Sequence, residues 1–230
     1  LAAEGAVDYV VRHLLIDSRK ILSTEDSLFF AIKGDRHDGH KFIPELYEKG
    51  LRNFVVGQLP ADVANYTAAN FIVVDNVLAA LQKVCAFHRK AFNIPVVGIT
   101  GSNGKTIVKE WLYQLMREDK VIVRSPKSFN SQVGVPLSVW QINTEHTLGI
   151  FEAGISQPGE MEHLEPVVFP TIGIFTNVGQ AHDENFKDVS QKTSEKLKLF
   201  SHSEVLIYCK DYLLLHKEIS DSQLLRGLQT

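Results

Sequence analysis

Cysteine is scarce in this chain: only Cys85 and Cys209 occur in 230 residues, and they form no C-x-x-C pair. A disulfide framework and a thiolate zinc site are thereby excluded, and a reducing compartment, the cytoplasm, is expected. Long apolar runs are also missing. None approaches the roughly 20 residues that span a bilayer, so no membrane insertion is expected. Leu1 to Val10 lack a basic region followed by a long apolar core, and no signal peptide is read there. Nor is there an excess of one charge. Lys and Arg number 24 against 27 Asp and Glu, a net −3, which leaves no electrostatic footprint for nucleic acid or an anionic membrane. What is present is 44% hydrophobic and 22% charged residues, the composition of an ordinary globular protein of one large domain or two smaller ones.

Residues 1 to 80 read as a small mixed α/β unit. Leu14-Leu15-Ile16 is a short strand running into Asp17-Ser18-Arg19, and Ser27 to Ile32 is a second, closed by Lys33-Gly34-Asp35. Phe42 to Lys49 has helical spacing, with Gly50 placed to end it. Asn53 to Val56 and Phe71 to Val74 are further short strands. Residues 81 to 93 fall in a connecting helix, with Leu78, Leu81, Val84 and Phe87 at three-residue steps. From residue 94 to 230 strands alternate with helices, the pattern of a parallel sheet covered on both faces. In its first helix, Lys105 to Glu118, Ile107, Val108, Trp111, Leu112, Leu115 and Met116 are spaced for burial.

The strand Ile94 to Thr100 leads through Gly101-Ser102-Asn103-Gly104 into Lys105-Thr106 and that helix. Strand, glycine-rich turn and helix start form a phosphate cradle: backbone N–H groups converge on the anion and the helix N-terminus adds partial positive charge. Lys105 is placed to reach terminal phosphates and the Thr106 hydroxyl to sit on Mg²⁺, which makes this a nucleoside-triphosphate site. The general G-x-x-x-x-G-K-[ST] pattern wants its first glycine at position 99, where this chain has Ile99. Ligands of an open parallel sheet bind beyond the strands' carboxyl ends. Ser125 to Gln132, Glu152 and Asn177 to His182 all follow strands and open onto that same edge. Glu152 can hold Mg²⁺ opposite Thr106, and His182 can serve as a metal ligand or phosphate contact. Lys196, read by its spacing alone, is a surface lysine.

Taken together, several segments resemble the Mur ligase family, the ATP-dependent amide-forming enzymes of peptidoglycan precursor synthesis. Thr100-Gly101-Ser102-Asn103-Gly104-Lys105-Thr106 is the family's type of phosphate loop, which accounts for the displaced glycine. Asn130 with Val133-Gly134-Val135-Pro136-Leu137, then Glu152-Ala153-Gly154, then Thr176-Asn177-Val178-Gly179-Gln180-Ala181-His182, follow in the expected order. Asp17-Ser18-Arg19, Phe29 to Gly34 and Asp38-Gly39-His40 look like the uridine-nucleotide domain of the member that adds D-alanyl-D-alanine. Gly154 to Met161 look like the form fused to an alanine racemase.

The resemblance implies a mechanism. ATP phosphorylates the carboxylate of a UDP-N-acetylmuramoyl tripeptide, and the amine of D-alanyl-D-alanine attacks the acyl phosphate. Residues Thr100 to Thr106 bind ATP, with Lys105 on phosphate; Thr106 and Glu152 hold one Mg²⁺, and His182 helps hold a second. Lys196 matches a lysine that the family carbamylates into a metal ligand. Ser18, Arg19, Gly34, His40 and Asn130 contact the substrate. The chain departs from the family at Ile107, where a hydroxyl residue is usual, at Lys127-Ser128-Phe129-Asn130-Ser131, and in the acidic Asp183-Glu184. It starts without Met and ends before a family-type C-terminal domain, so it reads as a fragment with little nucleotide binding and no turnover by itself. Three other readings stand beside this one. They are the diaminopimelate- or lysine-adding ligases or a folylpolyglutamate synthetase, a non-catalytic UDP-sugar or nucleotide binding module, and a generic P-loop switch.

Overall fold

The computed structural model describes residues 10–21, 23–34, 37–179 and 183–230. The chain divides between Leu81 and Gln82 into two compact units.

The first unit is built on short strands: β1 (His13–Leu15), β2 (Ser27–Phe30), β3 (Lys33–Gly34) and β4 (His37–Asp38). Helix α1 (Ile43–Glu48), β5 (Asn53–Val56) and β6 (Asn70–Val73) follow. The sheet order is β1-β2-β5-β6 with every neighbour parallel, while β3 and β4 pair as an antiparallel ribbon. Four consecutive buried residues in β2 and in β5 mark strands covered on both faces. Phe29, Leu46, Leu51 and Phe54, none with any exposed surface, form the core. Pro44 sits in the first turn of α1, and Gly50 beyond its end takes φ +98°, the left-handed position expected of it.

Helix α2 (Val77–Lys90) carries the chain out of this unit. The second unit then alternates: β7 (Val96–Thr100), α3 (Lys105–Met116), β8 (Ile122–Arg124), α4 (Gly134–Val139), β9 (Leu148–Glu152) and α5 (Glu160–Val168). It continues with β10 (Ile172–Phe175), α6 (Val189–Leu197), β11 (Val205–Tyr208) and α7 (Leu213–Asp221), the last of which was not anticipated. The sheet order is β11-β10-β7-β9-β8, all parallel. Val97 and Ile99 of β7 pack with Val108, Leu112 and Met116 of α3 on one face. On the other face Gly98 meets Pro170 and Val168 so closely that a Cβ there would stand 2.8 Å from the proline ring.

The structure corrects one reading of α3. Only the Val108, Leu112 and Met116 side packs on the sheet; Ile107, Trp111 and Leu115 are exposed. The six apolar positions span two neighbouring stripes of the helix, and a flat sheet can cover only one of them. Among the described residues no helix is long and apolar enough to cross a membrane.

Candidate functional site

The centre of the second unit's sheet, β7, ends at Thr100, whose buried hydroxyl donates to the Ala153 carbonyl at 2.8 Å. The chain then turns at Gly101 (φ +138°) and Gly104 (φ +83°) before α3 begins at Lys105. A Cβ on Gly101 would lie 2.0 Å from the Thr176 hydroxyl, so both the backbone angle and the close approach require glycine. The loop is strapped by the segment after β10. Ser102 N–H donates to Asn177 O (3.0 Å), Asn103 N–H donates to Asn177 Oδ1 (2.9 Å), and the Thr176 hydroxyl donates to Asn103 O (2.6 Å). Ser102 Oγ donates to Gly179 O and accepts from its N–H. The phosphate-type loop is therefore held rigidly from behind.

Three lysines converge on this loop. Lys105 Nζ folds back onto the carbonyl of Gly101 at 2.7 Å, Lys196 Nζ lies 3.5 Å from the same oxygen, and Lys192 Nζ donates to Gly179 O. Burial lowers the affinity of Lys105 for its proton, with the Glu152 charge opposing. Lys196 is brought down to about 7, first by burial and then by the positive charges of Lys105 and Lys192. A concentration of buried cations around a glycine turn is a site for a polyanion. The spacing of Lys196 suggested a surface lysine; its side chain is instead buried and aimed at the loop.

Thr106, in the first turn of α3, donates its hydroxyl to Glu152 Oε2 at 2.9 Å. Glu152 ends β9 with no exposed surface, and its N–H donates to Ser125 Oγ at 3.1 Å. The other carboxylate oxygen, Oε1, lies 2.9 Å from the ammonium of Lys109, a charge contact whose direction leaves it without a hydrogen bond. A hydroxyl and a buried carboxylate with a spare oxygen form the hard oxygen donor set that Mg²⁺ takes, so these residues fit the ion. Among the described residues no group of three or more His, Cys, Asp or Glu side chains gathers as a metal site, here or elsewhere. His182 and residues 180–181 lie outside the described residues.

A cavity of about 300 Å³ opens beside the loop, lined by Gly101, Ser102 and Lys105 on one side and by Asn130, Gly154 and Lys196 on the other. Asn130 is held there by its own carbonyl, which accepts from Gly154 N–H at 2.7 Å. At the rim Glu160 accepts from the N–H groups of Ser156 and Gln157. The structure thus gathers Thr100 to Thr106, Asn130, Glu152 and Lys196 at one sheet edge.

The first unit has a comparable edge of its own. His40, Asp38, Lys33, Gly57, Gln58 and Asn76 line another cavity of about 300 Å³. Gly57 N–H donates to His40 Nε2 (3.1 Å), so the ring proton sits on Nδ1 and points to Asp38 Oδ1 at 2.7 Å. That bond and the His40 N–H hold the Asp38 carboxyl below its usual range. Gly34 adjoins the cavity in β3, with open space where a side chain would stand. Ser18 and Arg19 follow β1 at the same carboxyl edge but do not line it. Ser18 is buried, whereas Arg19 is exposed and closes a two-bond pair with Asp17, whose carboxyl it lowers to about 2. Sequence reasoning missed Thr176 and Asn177 as loop straps, and Lys109 and Lys192 as inward lysines. Only the fold reveals which lysines on a helix turn inward.

A model described as the Mur ligase middle domain matches residues 99–223, and one described as the Mur ligase family catalytic domain matches residues 10–89. A UDP-N-acetylmuramoyl-tripeptide–D-alanyl-D-alanine ligase of Treponema pallidum is 35% identical over 80% of this chain and 41% of its own length. Its counterpart in Borreliella burgdorferi is 32% identical over 84% and 43%. The crystal structure of a MurF ligase from Thermotoga maritima in complex with ADP superposes with a TM-score of 0.81 at 28% identity, covering 94% of this chain and 49% of that one. The chain spans less than half the length of these relatives.

Proposed function

The chain belongs to the Mur ligase family, and from that premise we propose that it carries the nucleotide- and UDP-substrate-binding portions of an ATP-dependent ligase. That ligase joins D-alanyl-D-alanine to a UDP-N-acetylmuramoyl tripeptide. The observation that carries this reading is the convergence of Lys105 and Lys196 on the Gly101 carbonyl, with Lys192 on the Gly179 carbonyl of the strap and Thr106 and Glu152 beside it. A relative solved with ADP over nearly the whole of this chain supports the nucleotide assignment.

In this reading the N–H groups of residues 104 to 106 at the helix α3 N-terminus bind the phosphates, while those of Ser102 and Asn103 are spent on the Asn177 strap. Lys105 leaves the Gly101 carbonyl to neutralise the transferring phosphoryl group, whose reaction depends on positioning and charge rather than on a covalent protein intermediate. Thr106 and Glu152 hold Mg²⁺, which supplies charge neutralisation between the phosphates when bound. Asn130, Gly154 and the Glu160 rim face the substrate cavity, where the tripeptide carboxylate takes the phosphoryl group from ATP, releasing ADP. The incoming amine then attacks the acyl carbon, forming the amide as the C–O bond breaks and inorganic phosphate and a proton leave. Lys196 is a carbamate in the working enzyme. With a proton affinity near 7 it holds a lone pair at neutral pH, which attacks CO₂ and releases one proton. By the family resemblance His182 would help hold a second Mg²⁺. The His40 cavity with Gly34 takes part of the UDP substrate, and Ser18 and Arg19 stand at its edge. The fused racemase remains part of this proposal through the resemblance of Gly154 to Met161.

The test is phosphate release from ATP by the protein that carries this chain, with UDP-N-acetylmuramoyl tripeptide and D-alanyl-D-alanine added together. Release should require both substrates and fall by at least about a hundredfold in Lys105→Ala and Glu152→Ala. Release with neither substrate, or undiminished in both variants, contradicts the reading.

A further inference from the structure

One cation near the loop takes no part in the polyanion cradle. Lys109 stands one helical turn beyond Lys105 and has no exposed surface, although a lysine is almost never fully buried unless paired. Its ammonium lies 2.9 Å from Glu152 Oε1 and 3.2 Å from Glu110 Oε1, and it donates to Ser125 O at 2.8 Å and to Lys127 O. Glu110 is itself shared with Arg124, so its charge is already balanced from the surface side. Lys127 takes φ +48°, a left-handed angle unusual for a side chain of its kind, and its carbonyl is turned toward the ammonium.

These contacts join three elements at the site, two of which, β8 and β9, are already neighbours in the sheet. Lys109 belongs to α3, which carries Thr106. Ser125 and Lys127 belong to the segment leaving β8, whose Ser128 hydroxyl lies 3.3 Å from Thr106 Oγ1. Glu152 ends β9, and Thr106 takes its second oxygen. The carboxylate is thus gripped by a positive charge on one oxygen and a hydroxyl on the other, within a buried pocket where a charge interacts strongly.

We propose that Lys109 is the positioning residue of the cation site, a built-in counter-charge that aims Glu152 and sets how tightly the site takes a divalent ion. This rests on the reading of Thr106 and Glu152 as Mg²⁺ ligands. It follows from charge balance. With Lys109 present, Glu152 offers the site little net negative charge, so Mg²⁺ alone binds weakly and needs the nucleotide's phosphates to complete it. With Lys109 made neutral, the carboxylate is left buried without its counter-charge, and a divalent ion becomes its replacement partner.

The experiment is the thermal unfolding of the chain in rising MgCl₂ without nucleotide, for the wild type, Lys109→Gln, Glu152→Gln and the double variant. Glutamine keeps a donor for the Ser125 carbonyl while removing the charge, so a purely mechanical staple is preserved. Lys109→Gln should melt lower than the wild type in metal-free buffer. It should recover with added Mg²⁺ at a concentration at least about tenfold below that needed to shift the wild type. The double variant, with neither charge, should melt above Lys109→Gln and show no such Mg²⁺ response; it also serves if the single variant does not fold. Equal Mg²⁺ midpoints for wild type and Lys109→Gln, or a double variant no better than the single one, overturns the proposal. The underlying metal-site reading fails separately if Mg²⁺ with ADP leaves the wild type and Glu152→Gln melting alike.

Discussion

Lys196 shows how far a single residue can depart from what its neighbours in sequence suggest. In Ser194-Glu195-Lys196-Leu197-Lys198 it looks like one of several solvated lysines, and only the resemblance to a family singles it out. The fold turns Lys198 outward to Glu162 and Glu195, and Lys196 inward to the phosphate-type loop. The consequence is a pH-dependent cost. A buried lysine brought from 10.5 to about 7 destabilises the folded chain fully below pH 7, and this cost fades as pH rises toward 10.5, where both folded and unfolded chains carry the neutral amine. Lys196→Met should therefore stabilise the ligand-free chain in CO₂-free buffer by roughly 1 to 4 kcal/mol below pH 7. Its advantage should shrink progressively above that pH. Urea denaturation across pH 6 to about 10 reads this directly, and an advantage that is flat or grows with pH contradicts the burial of a charge at this position.

At the scale of the element, α3 separates what periodicity can and cannot say. Its existence and its start at Lys105 were legible because the glycine turn, the lysine and the apolar spacing agree. Which of its apolar residues face the sheet was not legible, because Ile107, Trp111 and Leu115 sit at the same four-residue spacing as Val108, Leu112 and Met116. The register of the helix on the sheet decides between the two stripes, and that register is fixed by the phosphate-type loop that starts it. Trp111 is 63% exposed, so Trp111→Lys should change the unfolding free energy by no more than about 0.5 kcal/mol. A loss of about 3 kcal/mol or more, the cost of truncating a buried tryptophan, would contradict the placement of this stripe. By the same logic the inward direction of Lys109 follows from the helix register rather than from its residue type.

For the whole molecule, the alternation of strands and helices after residue 94 identified a parallel α/β unit because such sheets, covered on both faces, leave near-continuous apolar runs such as those of β7 and β9. The first unit read only as mixed α/β, and the parallel pairing of its sheet came from the structure. The rule that ligands gather at the carboxyl edge brings Gly101 to Thr106, Asn130 and Glu152 together from the sequence pattern, and the structure places them at that edge. Short edge features were harder: the β3–β4 ribbon has only two residues per strand, and in α7 the run Leu213-Leu214-Leu215 hides the single buried pair Leu215 and Ile219. The straps Thr176 and Asn177 act through backbone and side-chain bonds across 73 and 74 residues of sequence, which no local spacing encodes.

The central claim is that the turn from Gly101 to Thr106 is a nucleotide phosphate site completed by Lys105 and Glu152. Calorimetric titration of ADP into the protein that carries this chain, with and without Mg²⁺, tests it most directly. The account predicts saturable binding strengthened by Mg²⁺, weakened at least about tenfold in Lys105→Ala by the loss of a charged hydrogen-bonding partner, and no longer strengthened by Mg²⁺ in Glu152→Gln. Binding that is the same in all three proteins, or indifferent to Mg²⁺ in the wild type, would contradict it.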